Sequence, residues 1–248
     1  MWYNSSNMSS IGFIEKILSD REVLDAFAKI DGANKYVSSH GIKHVYGCLM
    51  IAKKLGSLFY LSERDQLLLE VSLVLHDIGQ VCGRQNHANK SVEFAKKYLP
   101  KQNEFNEAEL QIIYDAIETH DDYGDYDRIK TKIAWLVNFI DKLDFSKTRV
   151  DDGYRERFDY SDSEDIERLD FYLTDNVFKI VIKKIEKPLS ISVDRILNRN
   201  LTCKSLSVFK AYCEQFKLKP ECYLEDELID LSLINKNCMV DRWLYEKR

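Results

Sequence analysis

The chemistry in this chain is concentrated in its histidines. There are five, His40, His44, His76, His87 and His120, and all fall within the first half of the sequence. His76 is followed directly by Asp77, at the end of a stretch over residues 67–80 that is apolar on almost every side until it reaches this pair and Gly79. A helix that is apolar all round is buried, so its end lies inside the protein or lines a cleft. An imidazole and a carboxylate in such a place need partners. A divalent metal supplies them, because neutral imidazole and carboxylate are its usual nitrogen and oxygen ligands. A lone His-Asp dipeptide is more often a satisfied core histidine beside a helix-capping aspartate. Here the pattern recurs, and the recurrence selects the metal.

The elements that must position these residues can be read from their spacing. Residues 11–30 form an amphipathic pattern, with Ile14, Ile17, Leu18 and Leu24 at helical spacing and Asp31-Gly32 as the stop. A turn over residues 38–44 leads into a helix that runs to Gly56. On it His44, Cys48, Ile51, Ala52 and Leu55 share one face. Ser62 is placed to cap the central helix, with Asp65 where a capping box usually has Glu. After Gly79 a loop over residues 80–86 leads to His87, and a helix over residues 88–99 should end before Pro100. The next helix spans residues 105–119, and its stripe of Glu109, Ile113, Ala116 and Ile117 ends in His120. Residues 121–125 break it. A helix over residues 128–143 then carries Ile133, Val137, Ile140, Asp141 and Asp144 on one side. A carboxylate at position 141 on an inward stripe costs free energy unless it is paired or metal-bound.

From about residue 151 the character changes. Residues 160–165 are polar and loop-like, residues 175–185 partly alternate as a strand does, residues 205–216 read as a helix and residues 221–224 as a short strand. This part contains no histidine, glycine-rich loop or phosphate cradle, and reads as a small α+β cap or oligomerisation element, so that a homodimer is one expected assembly. No internal repeat or low-complexity segment is present.

Composition limits the function classes. The 248 residues suit one large domain or a domain with an appendage, and an apolar fraction of 45% with three prolines describes a compact helix-rich protein. No apolar run reaches membrane-span length, and the first residues lack the pattern of a secretory signal. The six cysteines are scattered without Cys-x-x-Cys, which suits reduced thiols in the cytoplasm. A net charge of −5 and no long basic stripe argue against binding a nucleic-acid polymer. A small anionic substrate remains compatible with that charge.

The order His44, His76-Asp77, Asp141 on successive helices resembles the HD-domain metal-dependent phosphohydrolase superfamily, whose signature is His, His-Asp, Asp. His87 and His120 stand where the two-metal branch of that superfamily has extra ligands. More narrowly, His40-Gly41-x-x-His44-Val45, Gly83-Arg84-x-x-His87-Ala88, His120-Asp121-Asp122 and Asp141-Lys142-x-Asp144 followed by Arg149-Val150 look like a group of uncharacterised bacterial HD proteins. The resemblance covers about residues 20–155. It departs from guanosine-tetraphosphate hydrolases, whose acidic pair after the HD motif is replaced by Ile78-Gly79, and from cyclic-di-GMP phosphodiesterases, whose Gly-Tyr-Pro signature is absent. The family's frequent lysine after His-Asp-x-Gly is Gln80.

The resemblance implies a mainly α protein, an HD-domain helical bundle over about residues 1–155 with an α+β appendage over about residues 156–248. It implies one or two divalent transition ions, Mn2+ or Fe2+/Fe3+ rather than Mg2+ or Ca2+ given mixed His/Asp ligation. His44, His76, Asp77 and Asp141 would hold the first, and Asp77 would bridge to a second held by His87 and His120. The expected activity is hydrolysis of a phosphomonoester or phosphodiester of a nucleotide or similar small metabolite, by hydroxide that the metal makes available near neutral pH. Asp77 and His40 would be the catalytic residues, His40 as an orienter of the site or a proton donor to the leaving group. Arg84, Lys142 and Arg149 are the candidates to touch phosphate. Two other readings stay open: a non-catalytic nucleotide or metal sensor on the same fold, and oxygen-dependent chemistry at a di-iron site.

Overall fold

The structure, a computed structural model, describes residues 10–33, 40–124, 126–146, 149, 161–188 and 190–234. Its first part is helical: α1 (Ser10–Ser19), α2 (Arg21–Ala33), α3 (Ile42–Leu58), α4 (Glu63–Leu75), α5 (His87–Tyr98), α6 (Glu107–Glu118) and α7 (Lys132–Leu143). The single helix expected over residues 11–30 is two. Asp20 interrupts it, because its carboxylate accepts from the backbone N–H of Glu22 at 2.8 Å and from the Tyr98 hydroxyl at 3.1 Å. It thus caps α2 and ties it to the end of α5.

The central helix α4 is as buried as its sequence demands, with every residue from Leu67 to Leu75 enclosed. Its polar members are satisfied locally. Glu70 accepts from Gln66 Nε2 at 2.7 Å, and Ser72 Oγ donates to the Leu68 carbonyl at 2.7 Å. Ser62 caps its start by accepting from the Asp65 N–H at 3.0 Å. Arg64 in its first turn clamps α6: Nε and Nη2 reach the two oxygens of Glu109 at 2.6 and 2.7 Å, and Nη1 reaches Glu104 at 2.7 Å. Asn106 and Glu109 close a capping box that starts α6. The start of α7 is set by Thr131, whose side chain accepts from the Ala134 N–H at 3.0 Å. Arg128, expected inside that helix, instead pairs with Glu118 and Asp122 in the preceding turn.

Between α4 and α5 the chain makes a 3-10 turn over Ile78–Cys82. A second follows α5 over Leu99–Gln102, where Pro100 sits at a position that needs no N–H. Gly83 has a φ of +94°, as a tight turn after the first 3-10 segment requires. Gly79 serves differently. A Cβ there would lie 2.3 Å from the His87 carbonyl oxygen and 2.4 Å from the Ser91 nitrogen, so its bare Cα lets the His-Asp turn rest on the first turn of α5.

The C-terminal part opens with the short α8 (Ser161–Glu164) where a loop was expected, and continues with β1 (Ile166–Thr174), β2 (Val177–Lys184), α9 (Val193–Asn198), α10 (Asn200–Gln215), β3 (Lys219–Leu224) and β4 (Glu227–Leu228). The four strands form one sheet in the order β1-β2-β3-β4, with the β2/β3 pair parallel and the others antiparallel. The expected strand over residues 175–185 begins later, because Asp175 (φ +55°) and Asn176 make the hairpin turn. β2 sends Phe178, Ile180 and Ile182 inward. Phe178 meets Phe59 after α3, Phe139 on α7 and Phe209 on α10 at centroid distances of 5.2, 6.0 and 5.3 Å. Phe139 also stacks on Tyr212 at 4.5 Å. One hydrophobic core therefore runs from the helices into the sheet, and α7 is enclosed from Ile133 to Leu143. Cys48, Cys82, Cys213 and Cys222 are free thiols, whereas Cys203 is disulfide-bonded, a departure from the expectation that every cysteine is reduced. Among the described residues no helix is long and apolar enough to cross a membrane.

Gly79→Ala places a methyl group against backbone that has no rotamer to yield. The expected cost is ~1–3 kcal/mol, seen as a Tm lowered by several degrees. A melting curve that matches wild type would show that the α5 turn gives way freely.

Candidate metal centre

Two groups of side chains converge at the end of α4. In the first, His44, His76, Asp77 and Asp141 bring ligand atoms within 4.8 Å of one another, all buried. His44 Nε2 lies 3.3 Å from His76 Nε2 and 3.1 Å from Asp141 Oδ1. His76 Nε2 lies 3.4 Å from Asp77 Oδ2 and 3.6 Å from Asp141 Oδ1. In the second, Asp77 Oδ1 lies 3.3 Å from His87 Nε2 and 3.4 Å from His120 Nε2, and the two histidine nitrogens are 3.1 Å apart. The two oxygens of Asp77 thus face different groups.

Local structure decides which nitrogen each histidine presents. Nδ1–H of His76 donates to the Leu73 carbonyl at 2.7 Å, that of His87 to Arg84 at 3.0 Å, and that of His120 to Ile117 at 2.6 Å. Each acceptor is three residues back, where the preceding turn leaves its carbonyl in reach. With Nδ1–H so committed, Nε2 of each points to the carboxylates. His44 differs in that its Nδ1 faces Asp144 Oδ2, at 2.7 Å.

This set of acceptors requires positive charge at its centre. Burial would lower the pKa of His76, but the charge of Asp77 and a hydrogen bond to Asp141 outweigh it and push it to about 10. Burial would raise both carboxyls, yet His76 holds Asp77 and Lys142 holds Asp141 well below the usual carboxylate range. A divalent ion meets the same demand as the His76 proton. The donors are imidazole nitrogen and carboxylate oxygen. Cys48 packs against His44 with Sγ 3.6 Å from both ring nitrogens, but burial and Asp144 raise its thiol pKa strongly, so it offers no ready thiolate. The residues present fit a transition ion.

The expected site residues are brought together unevenly. His40 lies beside Asp77, with Nδ1 2.9 Å from Oδ2. Burial lowers its pKa to about 3 despite Asp77, so it is neutral at pH 7 and donates Nδ1–H to the carboxylate. Lys142 is enclosed, ion-paired with Asp141 and, at 3.3 Å, with Asp121. Burial opposes its charge, but these carboxylates raise its pKa. Arg149 is buried against His44, with Nη2 3.4 Å from His40 Nδ1 and Nη1 3.7 Å from Asp141 Oδ1. Arg84 is exposed on the loop before His87. The side chains of His87 and His40 are 11% and 10% exposed whereas those of His44 and His76 are fully enclosed.

Two residues escaped the sequence reading. Gln80, noted only as a lost lysine, donates Nε2–H to Asp77 Oδ1 at 2.7 Å and holds that carboxylate from the second side. Asn138 on α7 directs its Nδ2 at the carbonyls of Thr119, His120 and Asp122, at 3.1, 2.9 and 2.8 Å, and so anchors the turn that carries His120. A signal existed for it: an amide inside the apolar run Trp135–Phe139 must find partners.

Because the metal-free centre holds a proton on His76 to about pH 10, an ion entering at pH 8 must displace it. Calorimetric titration in buffers of differing ionisation enthalpy should show about one proton released per first ion bound. The sign follows from the raised pKa: the His76 contribution to metal-free stability is complete below its ordinary value near 6.5 and is lost as pH rises through about 10. Zero proton release at pH 8 would place the incoming ion away from His76.

Residues 41–146 match the family model for the HD domain. That span runs from the start of α3 past the end of α7 and contains His44, His76, Asp77, His87, His120 and Asp141. No curated protein matches the chain. The order of the His, His-Asp and Asp residues, the helices that carry them and the buried centre they form agree with the family match: the chain contains an HD domain, of a superfamily that is mostly metal-dependent hydrolases.

Proposed function

We propose that this protein is a metal-dependent phosphohydrolase that cleaves a phosphomonoester or phosphodiester of a nucleotide or similar small metabolite. The observation that carries the reading is the placement of Asp77, whose Oδ2 lies 3.4 Å from His76 and 4.0 Å from His44 while its Oδ1 lies 3.3 Å from His87 and 3.4 Å from His120. His44, His76, Asp77 and Asp141 would hold one ion, and Asp77, His87 and His120 a second. Bound divalent ions supply Lewis acidity for a phosphoryl oxygen and lower the pKa of water near them.

The chain's own groups do the rest. His40 and Gln80 grip opposite oxygens of Asp77, so its carboxylate cannot rotate away from the line between the two groups. Neutral His40 acts as an orienter rather than a proton donor. Lys142 is turned to Asp141 and Asp121, and its charge serves the carboxylates before any phosphate. Arg84, exposed on the loop before His87, is the phosphate clamp in this reading, since its planar fork can hold two oxygens at once. Arg149 is the inner cation of the site. The excess of acidic residues, with a sequence pI near 5.6, suits a small substrate better than a nucleic-acid polymer.

The test is hydrolysis of a generic aryl phosphate, then of a nucleotide panel, by Mn2+-loaded protein. Asp77→Ala should abolish activity, and substantial residual turnover would remove Asp77 from the centre of the reaction. A metal-loaded protein that hydrolyses none of these but binds a nucleotide tightly would favour a sensor. Arg84→Lys should keep the metals and the fold while lowering kcat/KM ~10- to 100-fold, about 1.4–2.8 kcal/mol of transition-state binding. Unchanged kinetics would make Arg84 a structural loop residue.

A further inference from the structure

The two groups that share Asp77 are not equivalent. The first has four donors, two of them carboxylates, all buried; the second has three, of which Asp77 is the one carboxylate, and it includes partly exposed His87. The histidines differ in their outer partners as well. His76, His87 and His120 each donate Nδ1–H to a backbone carbonyl. His44 alone has a carboxylate there, Asp144 Oδ2 at 2.7 Å, on a side chain that is 1% exposed. An anionic acceptor holds the ring in one tautomer and makes the opposite nitrogen a stronger donor than a neutral carbonyl does.

The fold makes room for this contact. Asp144 follows the last turn of α7 and reaches α3 at Gly47, where a Cβ would lie 2.9 Å from the Asp144 carboxylate. A side chain at position 47 would force that carboxylate to shift from its place against His44. Of the nearby cations, Lys142 pairs with Asp141, whereas Arg149 lies against both ring nitrogens of His44 and 3.7 Å from Asp141, so it leaves the His44–Asp144 contact in place and adds positive charge beside it. What remains is the larger donor set and the anchored His44.

We propose that Asp144 is a positioning residue that, through His44, makes the first group the tighter of two metal sites and leaves the His87/His120 group as a weaker, exchangeable one. This rests on the two-metal reading of the centre and not on the reaction it catalyses.

The experiment is a calorimetric titration of the chelator-stripped full chain with Mn2+. Wild type should show a tight and a weak phase, and His120→Ala should lose the weak phase only. Asp144→Asn keeps the side chain's shape and removes its charge. It should weaken the tight phase ~10- to 100-fold while moving the weak phase less than about threefold. Gly47→Ala, which retains Asp144 but displaces it, should reproduce the selective loss and serves if Asp144→Asn does not fold. A single phase in wild type overturns the proposal. So does an Asp144→Asn protein whose tight phase is unchanged, or one in which both phases weaken alike, as a general structural defect would cause. Two intact phases in a protein with no phosphatase activity would overturn the proposed reaction and leave this inference standing.

Discussion

A buried carboxylate that must be neutralised from two sides is the constraint on which the rest of this structure depends. Asp77 follows the enclosed end of α4 and is itself 2% exposed, and an isolated charge there would cost many kcal/mol. Five neighbours from four parts of the chain converge on it: His40 before α3, His76 and Gln80 beside it, His87 at the start of α5 and His120 after α6. Only His76 and Gln80 are near Asp77 in sequence. Assembling the helices and satisfying Asp77 are therefore one event.

Two helices carry that assembly, α4 enclosed from Leu67 to Leu75 and α7 from Ile133 to Leu143. α4 delivers the His-Asp pair, and α7 delivers Asp141 and Asp144 and, through Asn138, the turn holding His120. α7 can be buried because the C-terminal part covers it. Phe139 meets Phe178, Phe209 and Tyr212, and burying an aromatic side chain of this kind is worth about 1.5–3 kcal/mol. A hydrogen bond from the Asn138 side chain to a backbone carbonyl contributes about 1 kcal/mol net, yet leaving those carbonyls unpaired would cost more. Apolar packing thus supplies the stability and the polar contacts supply the alignment.

The electrostatics of the centre follow the same logic. Histidines in an apolar interior ordinarily lose their proton, as His40 does. His76, packed just as deeply, is driven the other way because Asp77 and Asp141 both face it. The two residues differ in the charges within reach, Asp77 and Asp141 at His76 against Asp77 with the opposing Arg149 at His40, which is a property of the assembled helices. A centre that forces a proton onto a buried imidazole is arranged for cation binding before any ion arrives.

Much of this was legible in the residues. His44, His120 and Asp141 lie on apolar stripes and His76-Asp77 ends an apolar helix, so their inward direction follows from periodicity and burial, and the helical class with it. The break at Asp20 was only half legible: its cap on the Glu22 N–H is local, but its tie to the Tyr98 hydroxyl comes from a distant helix. Nor was β1, an edge strand with Glu167 and Arg168 exposed and no clean alternation, which is defined by its pairing with β2. The role of Gly79 looked like a turn and proved to be a close approach, since the obstacle is the α5 backbone. Gln80 read as an absence until Asp77 was seen beside it. By itself, the sequence determined which residue types are forced inward, because an apolar surround leaves imidazole and carboxylate no solvent to turn to. Only the tertiary structure decided that they meet at one carboxylate, in two unequal groups, because that depends on contacts between residues as far apart as His44 and Asp144, where spacing along the chain carries no distance information.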